Sequence, residues 1–224
     1  MKVKEYKIKK SLSREIQRLN DVVADLDSLV TEMGSDFYRV VIFGSARIQK
    51  DTKEYQDVQN LAKNIATLGA DIVTGGGPGL MEAANAGAKE GSKKTKSIGV
   101  RIELPFESEA NSHLDVKFSH KRFSSRLDEF MRISNAVVIT PGGIGTLLEL
   151  FFAWQLIQVE HIKPKPMILV GNMWRGLIQW IQENPLRKNL LDQKDIDKIQ
   201  IVEKMDDVIP ILEKEINNFY NKKL

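Results

Sequence analysis

The apolar residues of this chain follow two alternating rhythms. Short, almost unbroken apolar runs recur at Arg39–Phe43, Asp71–Thr74, Ser97–Ile102, Ala136–Ile139, Pro166–Gly171 and Ile199–Val202, with a briefer one at Val116–Phe118. Runs of this length without polar alternation predict strands buried on both faces, as in a parallel sheet. Between them the apolar positions spread to helical spacing. Val58, Leu61, Ala62, Ile65 and Leu68 share one face and are closed by Gly69. Leu80–Ala88 predicts a helix, as does Lys121–Ile133 with its stripe of Phe123, Leu127, Phe130 and Ser134. Leu147–Ile157 is apolar on almost every side, through Phe151, Phe152, Trp154 and Leu156, which predicts burial on more than one face. Leu177, Ile178 and Ile181 mark a further helix, and Asp206–Tyr220 a last one with Pro210 in its first turn. Glu183–Lys198 is charged and predicts a helical surface excursion.

Strand and helix in alternation predict an α/β fold: a Rossmann-like doubly wound parallel sheet with helices on both faces. Ahead of it, Leu12, Ile16, Leu19, Val22, Val23, Leu26, Leu29 and Val30 recur at helical spacing up to the stop at Gly34. Residues 1–35 therefore form an amphipathic helical extension, and 36–224 one nucleotide-binding domain. Asp21, Asp25, Asp27 and Glu32 share the polar side of the extension, which fits packing on protein and not a membrane surface.

The 33 basic and 30 acidic residues leave a net charge of +3, too balanced to argue for nucleic acid. Cysteine is absent, which excludes disulfides, thiolate nucleophiles and cysteine metal sites. The polar start, Met1-Lys2-Val3-Lys4-Glu5, has no apolar core of a signal peptide, and no apolar run approaches the ~18 residues of a membrane span. The expectation is a cytoplasmic protein without membrane or nucleic-acid partners. His113, His120 and His161 are scattered without ligand spacing and read as solvent or loop residues, so no metal site is expected.

Three strand ends carry small-residue turns: Gly44-Ser45-Ala46-Arg47, Gly75-Gly76-Gly77-Pro78-Gly79 and Thr140-Pro141-Gly142-Gly143-Ile144-Gly145-Thr146. In a doubly wound sheet all three lie at strand carboxyl ends, where ligands bind. A glycine-rich strand-to-helix turn lets a ligand approach the backbone and points helix N-terminal N–H groups at it, which favours a phosphate. Tight turning alone is the rival explanation of each glycine, and the convergence of three such turns on one site counts against it. Neither cluster spells the dinucleotide fingerprint G-x-G-x-x-G, and Gly87-x-x-x-Gly91-Ser92-Lys93 lacks P-loop spacing. Glu149 stands in the greasy run Leu147, Leu148, Leu150, Phe151. Thr146-x-x-Glu149 fits a capping box with Thr146 as N-cap; equally, a carboxylate placed there is a candidate for chemistry. Arg126 lies on the helix before the motif strand, where it either pairs with Asp128 or Glu129 or reaches the sheet end.

Pro141-Gly142-Gly143-Ile144-Gly145-Thr146-Leu147-Leu148-Glu149 resembles the PGGxGTxxE signature of the LOG (lonely guy) family, long labelled "lysine decarboxylase". The resemblance extends to Phe43–Arg47 and to Gly75–Asn85, and covers roughly 40–171. It implies a phosphoribohydrolase that cleaves cytokinin riboside 5′-monophosphates or AMP-like nucleoside monophosphates to free base and ribose 5-phosphate, with no cofactor. It implies that Arg126 and Glu149 are the catalytic pair. It assigns the 5′-phosphate to Gly142, Gly143, Gly145 and Thr146, counts Pro141 among the substrate-binding residues, and gives the nucleotide pocket to Gly44, Ser45, Gly75, Gly76, Gly77 and Glu82. Leu127 stands where the family usually has lysine. The resemblance also suggests a homodimer or higher homo-oligomer through the 147–157 region. The rival to the hydrolase is a nucleotide-binding sensor or carrier on the same fold.

Overall fold

The structure, a computed structural model, describes residues 12–20, 22–23, 37–103 and 110–222, and every structural statement below concerns these. They form one seven-stranded sheet in the order β4-β3-β2-β1-β5-β6-β7. The strands are β1 (Tyr38–Phe43), β2 (Ala70–Thr74), β3 (Ser97–Ile102), β4 (Val116–His120), β5 (Ala136–Ile139), β6 (Met167–Val170) and β7 (Ile199–Val202). Each neighbouring pair is parallel. The linking helices are α1 (Lys53–Thr67), α2 (Leu80–Gly91), α3 (Phe123–Ile133), α4 (Ile144–Gln158), α5 (Met173–Ile181), the short α6 (Gln193–Ile196) and α7 (Val208–Asn221).

Strand alternation divides the core in two. Val40 and Ile42 of β1 point to the face covered by α1, α2 and α7, through Val58, Leu61, Ala84 and Leu212. Val41 and Phe43 point to the opposite face, covered by α3, α4 and α5 through Phe130, Leu150, Trp154 and Trp174. The central strands are buried on both sides, which is why their sequences show no polar alternation. Helices α1 and α2 cross at very short range. A Cβ on Gly87 would stand 2.0 Å from the carbonyl oxygen of Gln59, and one on Gly91 2.2 Å from that of Lys63.

Several expectations are corrected. The charged segment 183–198 is not merely a surface excursion. A π-turn (Gln182–Leu186) continues α5, α6 follows, and Asp195 and Ile196 are buried. There the Trp154 indole N–H donates to the Asp195 carbonyl at 2.8 Å. His120 is neither solvent nor loop: it is buried on β4, its Nδ1 3.2 Å from Ser125 Oγ. Helix α4 is buried through Thr146, Leu150, Ala153, Trp154 and Ile157, but Ile144, Leu148 and Phe151 are exposed, so one chain covers only one side of it. Residues 12–20 and 22–23 are helical, with Leu12, Ile16, Leu19 and Val23 exposed; the rest of the expected N-terminal helix lies outside the described residues. None of the described helices is long and apolar enough to cross a membrane.

Candidate active site

The chain builds β1 to β4 outward in one direction, then crosses back to lay β5 beside β1. The sheet's switch point is therefore between β1 and β5, and the loops leaving these two strands diverge to opposite faces. That divergence opens the crevice in which doubly wound sheets hold ligands. The two loops are stitched together at its floor. Thr140 donates both its N–H and its hydroxyl to the Phe43 carbonyl, each at 2.8 Å, and the Ser45 N–H donates to the Pro141 carbonyl at 3.0 Å. The Ser45 carbonyl accepts from the Leu80 N–H at 2.9 Å, which ties the loop to the start of α2 as well. Gly79, at φ +68°, makes that tie possible, because a Cβ there would fall 2.4 Å from the Ser45 carbonyl oxygen.

Above this floor is a cavity of about 500 Å³, lined by Gly44, Ser45, Ala46, Arg47, Met81, Ile102, Phe123, Arg126, Gly143, Ile144, Gly145, Thr146 and Glu149. Its volume suits a nucleotide-sized ligand. Helix α4 begins at Ile144 with Gly143 as N-cap, and no side chain caps it. Its first N–H groups are thus left for an acceptor supplied from elsewhere. A Cβ at Gly143 or Gly145 would meet nothing within 4 Å, so the space in front of those amides is open. This start also overturns the capping-box expectation. Thr146 is the third residue of the helix, not its N-cap, and Glu149 sits a full turn too far along to reach the helix start. The Thr146 side chain is buried over Gly142, where a Cβ would lie 2.1 Å from Thr146 Oγ1.

Glu149 and Arg126 meet across the cavity wall, Arg126 Nη1 being 3.5 Å from Glu149 Oε1. Both side chains are 12% exposed. Neither Asp128 nor Glu129 takes Arg126; Glu129 binds Arg132 instead, at 3.0 Å. The arginine is held in a defined pose. Its Nε donates to the Val100 carbonyl of β3 at 2.9 Å, and its guanidinium carbon lies 5.0 Å from the centroid of the Phe130 ring. Burial raises the Glu149 carboxyl to about 7, although the Arg126 charge opposes the rise. A carboxylate poised near neutrality and lining a cavity is suited to proton transfer or to stabilising developing positive charge.

Of the residues read from the sequence, Gly44, Ser45, Gly143, Gly145, Thr146, Arg126 and Glu149 line this one cavity. Gly75, Gly76 and Gly77 lie behind it. A Cβ on Gly75 would stand 2.4 Å from Arg126 Nη2 and 2.6 Å from Met81 Sδ, so this glycine makes room for the arginine. Glu82 points away from the lining, to Lys50 Nζ at 2.7 Å and towards His113 Nε2 at 3.9 Å. Pro141 and Gly142 shape the turn beneath it.

Sequence reasoning overlooked Met81, Ile102, Phe123 and Arg47 in the lining. It also overlooked the polar network that fixes the Gly75–Gly77 turn. Thr74 Oγ1 donates to Asn85 Oδ1 at 2.7 Å and accepts from the Gly76 N–H at 2.9 Å. Asn111 Nδ2 donates to the Gly77 carbonyl at 3.1 Å and to Asn85 Oδ1 at 3.0 Å. Asn85 was the available signal: an amide amid the small residues Ala83, Ala84 and Ala86 demands a buried partner.

A doubly wound sheet with an uncapped, glycine-rich helix start at its switch point, and an arginine–carboxylate pair beside it, defines an α/β protein with a candidate ligand cavity at that point. Comparison with known proteins agrees. The family model described as "Possible lysine decarboxylase" matches residues 81–212, and the chain belongs to that family, the LOG family. It is 29% identical over 171 residues to a probable cytokinin riboside 5′-monophosphate phosphoribohydrolase of Oryza sativa subsp. japonica, spanning 73% of this chain and 67% of that one. It is 29% identical over 140 residues to the pyrimidine/purine nucleotide 5′-monophosphate nucleosidase of Escherichia coli (strain K12), spanning 59% of this chain and 30% of that one. Among solved structures, the molybdenum cofactor binding protein of Rippkaea orientalis shares the fold with a TM-score of 0.60 at 22% identity, over 83% of this chain and 99% of that one.

Proposed function

We propose that this protein hydrolyses the N-glycosidic bond of nucleoside 5′-monophosphates, AMP-like or cytokinin-like, to a free base and ribose 5-phosphate. The observation that carries the reading is the Arg126–Glu149 pair on the wall of a cavity whose floor is an uncapped helix N-terminus. A phosphate seated on the first amides of α4 would anchor the substrate and convert remote binding energy into placement of the sugar. As the C1′–N bond breaks, positive charge builds on the ribose, as in other glycoside cleavages. The Glu149 carboxylate stabilises that charge and accepts a proton from the water whose oxygen bonds to C1′. Arg126 orients the carboxylate and hydrogen-bonds the departing base, and the proton that Glu149 takes from the water passes to the base nitrogen, so that the base leaves neutral and Glu149 returns to its carboxylate form. The named activities of the rice and Escherichia coli relatives support the same class of reaction.

The test is a panel of nucleoside 5′-monophosphates, with free base and ribose 5-phosphate followed by chromatography. Wild type is expected to release both products, and Arg126→Ala to lose roughly 100-fold or more in turnover. Tight binding of a nucleotide without release would transfer the protein to the carrier reading. Gly75→Ala adds a second check. Its methyl group displaces Arg126 Nη2, so turnover should fall about 100-fold, as misplacement by ~1 Å commonly does. Because the colliding atoms are ends of flexible side chains, its melting temperature should stay within a few degrees of wild type.

The same reading includes a homodimer through α4. Ile144, Leu148 and Phe151 are 83%, 46% and 43% exposed and form one apolar stripe beside the cavity mouth. Sedimentation of wild type should give a dimer or a larger assembly, and Phe151→Glu should shift it towards monomer.

A further inference from the structure

We infer that Arg47 is the residue that makes a terminal phosphomonoester obligatory in the ligand; this rests on the nucleotide reading of the cavity. Charge points to Arg47. Two arginines, Arg126 and Arg47, are among the residues that line the cavity, with one carboxylate-bearing residue, Glu149. Arg126 is engaged by Glu149 and by the Val100 carbonyl, which turn its guanidinium towards the protein. A phosphomonoester near neutral pH carries close to two negative charges. The partial charge of a helix terminus amounts to about half of one. What remains must come from Arg47, whose guanidinium has no acceptor among the described residues.

The backbone around Arg47 is fixed although its side chain is exposed. Its N–H donates to Ser45 Oγ at 3.1 Å, its carbonyl accepts from Gln49 Nε2 at 3.1 Å, and Ser45 is tied to both Pro141 and Leu80. The loop therefore roots an arginine, whose planar fork is always charged, beside the cavity that Gly143, Ile144 and Gly145 also line. A guanidinium pairs two N–H groups with two phosphate oxygens, and the helix amides take the third. A neutral nucleoside offers neither contact, and a phosphodiester offers only one charge and two unshared oxygens.

The experiment measures ribose 5-phosphate and inorganic phosphate binding by calorimetry in wild type, Arg47→Ala and Arg47→Lys, with steady-state nucleotide cleavage beside it. Ribose 5-phosphate affinity is expected to fall roughly 10- to 100-fold in Arg47→Ala and to recover in part in Arg47→Lys. KM for the nucleotide should rise by the same factor. The wild-type affinity should weaken with added salt, and that slope should shrink in Arg47→Ala. Equal ribose 5-phosphate affinity in wild type and Arg47→Ala overturns the inference and leaves the hydrolase intact. Loss of phosphate binding in Arg47→Ala, in a protein that cleaves nothing, supports the inference while the hydrolase reading fails.

Discussion

Glu149→Gln is expected to lose at least ~1,000-fold in nucleotide cleavage and, at the same time, to unfold at a higher temperature than wild type. The two effects share one cause. Glu149 is held against its solvation preference, its carboxyl raised to about 7 by burial with Arg126 opposing. The amide keeps the shape and can still accept from Arg126, so packing is preserved. It cannot take a proton from water or balance positive charge on the ribose, so chemistry is lost. The stability effect depends on pH in a defined direction. The carboxyl's ordinary value is 4.5. Between pH 4.5 and about 7 the folded protein keeps a proton that the unfolded chain has released, so stability falls as pH rises through that window. A gap of about 2.5 pH units at ~1.4 kcal/mol each sets an upper bound of roughly 3–4 kcal/mol on the penalty. Glu149→Gln removes it, and should flatten the dependence of stability on pH between 5 and 7. Activity has the opposite slope: kcat/KM of wild type should rise through about pH 7 as the carboxylate forms. Denaturation of both proteins at pH 5 and pH 8, beside a pH–rate profile, checks all of this. Destabilisation by Glu149→Gln at pH 8 would instead mark the glutamate as a structural support.

Gly87→Ala is expected to destabilise the protein by roughly 2–4 kcal/mol through overpacking, a large part of the ~5–15 kcal/mol typical of a domain. Helix propensity alone predicts the reverse, since alanine is favoured over glycine inside a helix by about 1 kcal/mol. Geometry decides the sign. The new methyl group would stand 2.0 Å from the Gln59 carbonyl oxygen and 3.0 Å from the Lys63 nitrogen. Both are backbone atoms of α1, which cannot rotate aside, so α1 and α2 must move apart. Gly176 in α5 is the control. A Cβ there meets nothing within 4 Å, and Gly176→Ala should stabilise by about 0.5–1 kcal/mol. Urea denaturation of the two variants separates packing from propensity within one protein.

Most of the sheet could be read from the chain. The runs at Ala136–Ile139 and Ile199–Val202 became strands with those bounds; the first is buried on both faces, which needs continuous apolar sequence, whereas the second lies at the sheet edge with Gln200 exposed. Helix starts were less legible. The Thr146 capping box is a correct local pattern, yet the N-cap of α4 is Gly143, three residues earlier and without a side-chain cap. A ligand's anion, and not a side chain, is what such a start is suited to receive, and local pattern rules do not register a partner outside the chain. The 183–198 segment misled for a related reason. Its charges are mostly exposed, but Asp195 presents its carbonyl to Trp154 of α4, a long-range contact that composition does not show.

Sequence by itself determined the alternation of strand and helix and the glycine-rich turns, and singled out Arg126 and Glu149 only as candidates, by resemblance to a family pattern. The alternation and the turns follow from residue type and spacing, which are local properties of the chain. Only the tertiary structure decided that β5 returns to the side of β1, and so that the Gly44 loop, the Gly143 turn and α3 face a single cavity. It decided too that Arg126 turns from its own helix neighbours to the Val100 carbonyl and to Glu149, 23 positions further along the chain. It placed Arg47 at the rim without a counter-charge among the described residues, and drew α1 and α2 so close that Gly87 has no room for a methyl group. Each is a distance between residues remote in sequence. Such distances are fixed when helices and strands bury their apolar faces against one another, an outcome of the whole packing that no single stretch of the chain contains.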